Sequence, residues 1–357
     1  MGTRRNFIKQ LTTAGLMSTI PGQVLPASWI NLPANGRLGD KIWACLIHLS
    51  FNMWEDHDRF RDSDNPNLRN RIFDPSLRLS EPLWDDMLKK MSNQGMNMIV
   101  IDLGDAVKYR SHPEIAVKNA WSTTRLKNEL KKMRALGLEP IPKLNFSTGH
   151  DTWLGEYSRM VSTKRYYEVC RNLIAEVIDL FDKPRFFHLG YDEEVALHQR
   201  FYDYTVIRQN DLWWKDFYFF VNEVEKGGSR SWIWSDYVWH NPELFYKKMP
   251  KEVLQSNWYY GASFEDKNKV ELRTYEELEA RGYDQVPTGG YYSGLNKVMY
   301  SEESIKNTVQ FCKERISDQR LLGFMQTNWR PTVEVNRNDI LKSIGLIGSA
   351  KQEYIKK

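Results

Sequence analysis

Arg185-Phe186-Phe187-His188-Leu189-Gly190-Tyr191-Asp192-Glu193-Glu194 is an apolar run that stops at a glycine and three adjacent carboxylates. Packing alone does not finish a buried strand in three acids. Like charges crowded together push at least one carboxyl pKa upward, which is what an acid catalyst requires. The two-residue strand period puts His188, Gly190 and Asp192 on one face. A bend after Gly190 breaks that period, so Glu193 and Glu194 both stay open as the proton donor.

Other apolar runs also end in chemistry-bearing residues. They are Asp102-Leu103-Gly104-Asp105, then Lys143 and Asn145 followed by Ser147-Thr148-Gly149-His150-Asp151, and Trp232-Ile233-Trp234-Ser235-Asp236. Further on come Gln255-Ser256-Asn257-Trp258, Gly289-Gly290-Tyr291-Tyr292 and Gln326-Thr327-Asn328-Trp329-Arg330. Carboxylates beside indoles and phenols suit proton transfer on a ligand with apolar C–H faces, such as a sugar ring. His150, His188, Asp102 and Asp192 could meet in space. No compact ligand spacing of the His-Glu-x-x-His kind occurs, however, and neither a metal nor a cofactor is expected. Asp236 has a second reading as the N-cap of a following helix.

The elements that must position these groups alternate in type. Strands are predicted over 41–49, 97–103, 138–146, 185–190, 230–235, 252–257, 285–289 and 321–327. Helices are predicted over 81–94, 124–136, 166–181, 211–226, 242–248, 274–281, 302–316 and 338–351. Eight strand–helix units imply parallel strands with right-handed crossovers, and hence an α/β fold of the single closed (β/α)8 barrel type. The rival open doubly wound sheet lacks its G-x-G-x-x-G fingerprint after the first strand. In a barrel the chemistry sits where strands end and loops begin, and those are the polar ends just named.

The 357 residues carry a net charge of +4 with no long basic run, which disfavours nucleic acid as a partner. Trp 13, Tyr 18 and Phe 16 is a heavy aromatic load. The three cysteines, Cys45, Cys170 and Cys312, are widely spaced and read as buried free thiols. Residues 1–27, opening Met1-Gly2-Thr3-Arg4-Arg5-Asn6-Phe7, resemble a twin-arginine export signal, and 28–40 read as a linker to the barrel at 41–357. The apolar part of that segment is too short to span a bilayer, so an exported protein, periplasmic or extracellular in a bacterium, is expected, with no integral span in the mature chain.

His188-Leu189-Gly190-Tyr191-Asp192-Glu193 resembles the His-x-Gly-x-Asp-Glu motif of the β-N-acetylhexosaminidases, glycoside hydrolase family twenty. The run 138–150 is similar to that family's third-strand motif, 232–236 to its fifth-strand Trp segment, and Gln255-Ser256-Asn257-Trp258 to its sixth-strand Gln-Ser-Trp. Trp329 falls where the family has an eighth-strand Trp. The resemblance implies an oligosaccharide or glycan substrate and substrate-assisted, retaining hydrolysis. Asp192 would orient the 2-acetamido group and Glu193 would be general acid and base. Trp234, Trp258 and Trp329 would wall the acetamido pocket, and Tyr291 or Tyr292 would donate to the acetamido oxygen. His150 with Asp102 or Asp105 would support the acid. Asn145 and Asp236 complete the expected substrate-binding set. Lys143 and Asn145 stand where the family carries acids, and Arg330 follows Trp329 where the family has Glu. Those departures leave two alternatives, a carbohydrate-binding barrel without hydrolysis or a glycosidase for a non-acetamido sugar. The insertion 52–75, with Trp54, His57, Arg59 and Arg61, reads either as a site loop or as decoration.

Overall fold

The structure, a computed structural model, describes residues 41–266, 268–293 and 300–356. The expected export segment and linker, 1–40, lie outside the described residues. No described helix is long and apolar enough to cross a membrane.

In chain order the strands are β1 (Ile42–His48), β2 (Met98–Asp102), β3 (Val107–Lys108), β4 (Trp121–Ser122), β5 (Glu139–Lys143), β6 (Phe186–His188), β7 (Arg230–Trp234), β8 (Leu254–Ser256), β9 (Thr288–Gly290) and β10 (Gly323–Thr327). β3 and β4 pair only with each other, and the remaining eight form one parallel sheet in the order β8-β7-β6-β5-β2-β1-β10-β9. Its two ends meet. Val286 N donates to Gln255 O at 2.9 Å, Thr288 N to Asn257 O at 3.0 Å, and Tyr259 N to Thr288 O at 3.2 Å. The sheet is therefore a closed (β/α)8 barrel, and the open-sheet rival is excluded.

Helical periodicity in the sequence becomes an outer ring. α1 (Pro66–Arg71) lies in the insertion after β1, and α2 (Glu81–Asn93), α3 (Thr123–Ala135), α4 (Lys164–Leu180), α5 (Asn210–Lys226), α6 (Tyr237–His240), α7 (Pro242–Lys248), α8 (Val270–Ala280), α9 (Ser304–Arg315) and α10 (Arg337–Lys356) follow. α2 shows the local logic. Ser80 Oγ accepts from Leu83 N at 3.2 Å and caps the helix, a contact worth about 1 kcal/mol. Leu83, Trp84, Met87, Leu88 and Met91 then form its buried face.

Strand alternation divides the core in two. Trp43, Cys45, Ile47, Ile99, Ile101, Phe187 and Ile233 join the large cluster between strands and helices. Ile42, Ala44, Leu46, Met98, Val100, Ile141, Phe186, Trp232 and Met325 fill the barrel interior. Continuing the same alternation brings His48, Asp102, Lys143 and His188 to one interior layer, where register aligns them across β1, β2, β5 and β6. All three cysteines are free and buried.

The fourth barrel strand is shorter than its sequence predicts. β6 ends at His188 because the chain turns into left-handed conformations at Gly190 (φ 69°), Tyr191 (φ 70°) and Glu193 (φ 51°). Gly190 is required there, since a Cβ would sit 2.1 Å from Asn145 Oδ1. The insertion 52–75 is also more ordered than a polar loop, for it contains α1, whose N-cap Asn65 accepts from Asn67 N at 3.0 Å.

Candidate active site

The interior layer supports the site from beneath. Lys143 Nζ donates to Asp102 Oδ2 at 2.5 Å, and His48 Nδ1 lies 3.4 Å from the same oxygen. Burial would raise the Asp102 carboxyl, but Lys143 and His48 outweigh it and hold the group below its ordinary value. Lys143 therefore pairs with Asp102 and not with the motif acids. This corrects the placement of Asp102 among the substrate contacts, since its oxygen is committed to the ion pair below the pocket. His188 accepts from Gly190 N through Nδ1 at 3.0 Å and packs between Trp232 and Trp234. Burial, then the Lys143 charge, pushes its pKa well below the usual value, so it is a neutral interior histidine.

Above this layer the motif acids take distinct environments. Asn145 Nδ2 donates to Asp192 Oδ1 at 2.8 Å, while its Oδ1 accepts from Ser147 N at 3.0 Å and Tyr191 N at 3.2 Å. Ser147 Oγ donates to Asp192 O, so both the backbone and the side chain of Asp192 are held. His150 Nε2 lies 3.4 Å from Asp192 Oδ2 and 3.3 Å from Glu193 Oε2, and His198 Nδ1 lies 3.1 Å from the same Glu193 oxygen. Burial lowers His150, but the Asp192 and Glu193 carboxylates raise it further, and the net shift is upward. Burial raises Glu193, but His150 and His198 outweigh it, and the net shift is downward. The resemblance implies Asp102 or Asp105 behind His150. Asp105 is instead held by Ser50 Oγ at 2.6 Å and Asn52 Nδ2 at 2.8 Å, and it is the motif acids themselves that face His150.

Glu194 is committed elsewhere. Its Oε1 accepts from Arg208 N at 2.8 Å and Nε at 2.9 Å, and its Oε2 from Arg208 Nη2 at 2.6 Å. Thr148 N donates to the same Oε2 at 3.2 Å. Arg208 also donates to Tyr191 Oη at 2.9 Å and Phe146 O at 2.5 Å, and lies 3.5 Å from Asp216. Of the two glutamates left open by spacing, only Glu193 faces the pocket.

Asp236 follows β7 and accepts the Glu193 N–H through Oδ2 at 2.8 Å. It stands at the start of α6 but makes no side-chain capping bond, so the capping reading fails. Burial, then the charge of Asp192, pushes its pKa up to about 8. The native protein thus holds a proton here that the unfolded chain releases near 3.8. The stability contributed by that proton is full below pH 3.8 and is lost as pH climbs to about 8. Asp236→Asn keeps the acceptor and removes the titration. Its Tm relative to wild type is expected to rise steadily from pH 4 to pH 8, and a constant difference by scanning calorimetry would contradict this assignment.

The pocket over these acids has a volume of about 220 Å³. Trp234, Trp258 and Trp329 all line it. Trp258 stacks on Tyr260 (4.9 Å, 22°), and Trp329 Nε1 donates to Tyr260 Oη at 3.1 Å. Of the two candidate tyrosines, Tyr292 lines the pocket. Tyr291 turns away: it is buried with its ring 5.2 Å from Lys342 Nζ, which corrects its assignment to the substrate. Asn145 and His150 stand behind the pocket surface, against Asp192 and Glu193. Arg59 and Arg61 are exposed; Arg59 donates to Phe201 O and pairs with Asp203 in the loop after β6, and Arg61 pairs with Asp74 within the insertion. Arg71, His198 and Tyr300 also line the pocket, and no motif of the sequence points to them. Their signal in the sequence is weak, because each comes from a loop or a short helix whose path spacing does not reveal. His150, Glu193 and His198 each bring one ligand atom within 4.8 Å of the others, a donor set that could take a divalent cation. A cation held there would take up the Glu193 carboxylate.

The closed barrel carries its polar strand ends and its aromatic-walled acid pair at the C-terminal face, the architecture of the (β/α)8 barrel class. No family model matches the sequence, and no curated protein matches it. Solved structures do resemble it. The β-N-acetylhexosaminidase of Bacteroides fragilis superposes with a TM-score of 0.57 at 13% identity, covering 86% of this chain and 65% of that one. The pneumococcal virulence factor StrH gives 0.58 at 13% identity, covering 88% and 85%. A mutant Streptomyces plicatus β-hexosaminidase in complex with its product GlcNAc gives 0.58 at 11% identity, covering 89% and 69%. The likeness at these identities is one of fold, and the chain spans about two thirds of the Bacteroides enzyme's length.

Proposed function

We propose that the protein is a glycoside hydrolase acting on glycans that carry an N-acetylhexosamine. The observation that carries this reading is the Asp192–Glu193 pair under a floor and wall of Trp234, Trp258 and Trp329. Asp192, held by Asn145 and Ser147, accepts the substrate's acetamido N–H and turns the acetamido oxygen toward the anomeric carbon. That oxygen attacks and the glycosidic C–O bond breaks. Its electron pair goes to the leaving oxygen, which takes a proton from Glu193. The cyclic oxazolinium-type intermediate is neutralised by Asp192. Water then enters, Glu193 takes its proton, and attack at the anomeric carbon re-forms the acetamide with retention. The export expected from 1–27 is consistent with a polymeric glycan met outside the cytoplasm.

The barrel-type neighbours named as β-N-acetylhexosaminidases support the same reading through their common fold. The test uses 4-nitrophenyl N-acetylglucosaminide, N-acetylgalactosaminide and glucoside with and without a chelator. Turnover is expected on an acetamido sugar, at least ~100-fold slower turnover on the glucoside, and no loss with chelator. Equal rates on the glucoside would remove substrate assistance. Loss of activity on chelation would favour a metal at His150, Glu193 and His198.

A further inference from the structure

The wall of the pocket supplied by β1's insertion and β10 is cationic. Arg330 is only 7% exposed, lines the pocket, and makes no ion pair with a carboxylate among the described residues, although Asp339 acts on it from beyond ion-pair distance. Its Nη1 donates to Asn67 Oδ1 at 3.1 Å and its Nη2 to Ser293 O at 3.0 Å, and its guanidinium lies 3.8 Å from the centre of the Tyr292 ring. A guanidinium has five N–H groups, so donors remain unspent on a buried, positively charged plane. Arg71 lies four residues beyond Asn67 on α1, which puts both on one helical face and both in the pocket. Its carbon Cζ sits 4.9 Å over Trp54, its Nη2 is 3.5 Å from Glu55, and its buried Nε has no hydrogen-bond partner among the described residues. Glu55 offsets Arg71 only in part, since burial, its largest influence, raises the Glu55 carboxyl toward the neutral form.

A buried cation only partly offset by nearby carboxylates is costly, and the cost is recovered when an anion fills the site. Arginine's planar fork matches the oxygens of carboxylate, sulfate and phosphate groups and offers nothing to a hydroxyl proton. Arg71 also lowers the Glu193 carboxyl, whereas Arg330 is not among the largest influences on Glu193, nor Glu193 among those on Arg330. Arg330 therefore has no catalytic acid to serve, and a ligand anion is the partner its position fits.

We infer that the glycan carries an anionic substituent, such as a sulfate ester, phosphate or carboxylate, seated on Arg330 and Arg71 beside the sugar bound over Asp192. The inference rests on the glycan-site reading above and adds the charge class of the substrate. The anion takes the unspent guanidinium donors while Asp192 and Glu193 engage the uncharged end of the same ring.

Binding is measured by calorimetry on the intact protein with N-acetylglucosamine, its 6-sulfate, its 6-phosphate and glucuronic acid, at low and moderate salt. At least one of the anionic sugars is expected to bind about 10- to 100-fold more tightly than N-acetylglucosamine, as charge-assisted bonds to a buried guanidinium imply. Which of the three it is identifies the anion. Arg330→Met is expected to bring that ratio close to one, and Arg71→Met to reduce it. The inference is overturned if N-acetylglucosamine binds as tightly as all three anions, if none of the four binds, or if the ratio survives in both variants. A preference for an anion without hydrolysis in the chromogenic assay would leave this site standing and remove the hydrolase reading. Hydrolysis without any preference would do the reverse.

Discussion

Glu193→Gln is expected to lower kcat/KM on the N-acetylhexosaminide by about 10²- to 10⁴-fold, the usual worth of a positioned general acid and base. The fold should survive, because the Glu193 contact that holds the loop is its backbone N–H to Asp236, which glutamine keeps. The resting charge state needs an explanation, since His150 and His198 hold the free carboxyl below its ordinary range. His150 is shifted the other way, so the pair keeps one shared proton between the two titrations. In the empty site that proton sits on the imidazole. A bound glycan excludes water from Glu193, which favours the neutral acid, and the proton can cross the 3.3 Å from His150 Nε2 to Glu193 Oε2. The alkaline limb of wild-type kcat/KM should accordingly lie above 6.5, the ordinary value from which His150 is raised. A Glu193→Gln enzyme within tenfold of wild type would transfer the role of acid elsewhere.

The second large effect concerns stability. Arg208→Met is expected to cost about 3–5 kcal/mol, because it leaves Glu194 and Asp216 as buried carboxylates without their cation. Methionine fills most of the volume but replaces none of the donors that Arg208 gives to Glu194, Tyr191 and Phe146. Those contacts hold the left-handed turn at Tyr191, so a lower Tm should come with a loosened Asp192–Glu193 segment. Urea unfolding and thermal melts measure the loss. A difference below about 1 kcal/mol would mean that Arg208 is solvated in the native protein.

The barrel was legible because each strand–helix unit carries its own period. Two or four residues decide which side of Phe187 or Met87 is buried, and no distant contact is needed. The acid motif was legible for a similar reason, as Gly190, Asp192 and Glu193 follow one another in a single turn. The choice of Glu193 over Glu194 was not, because it depends on Arg208, fourteen residues away in a loop. The partner of Lys143 was open in the sequence and is decided by register between β2 and β5. Tyr292 and Tyr291 differ by one residue, and only the path of the chain after β9 tells which one reaches the pocket. Arg71 and His198 reach it from the insertion and from beyond the motif, where no periodic pattern marks direction.

The joint between β8 and β9 bears on how the protein would behave in use. Six of the neighbouring strand pairs form ladders of three or more residues and β5 meets β6 at Lys143 and His188 alone, while this joint rests on isolated bridges, Gln255 with Gln285 and Trp258 with Thr288. Trp258 is both a stave of that seam and a wall of the pocket. A ligand pressed against its indole would also brace the place where the cylinder closes on itself. Occupancy of the pocket and the integrity of the barrel would then rise and fall together, so a ligand held there should also make the barrel harder to unfold.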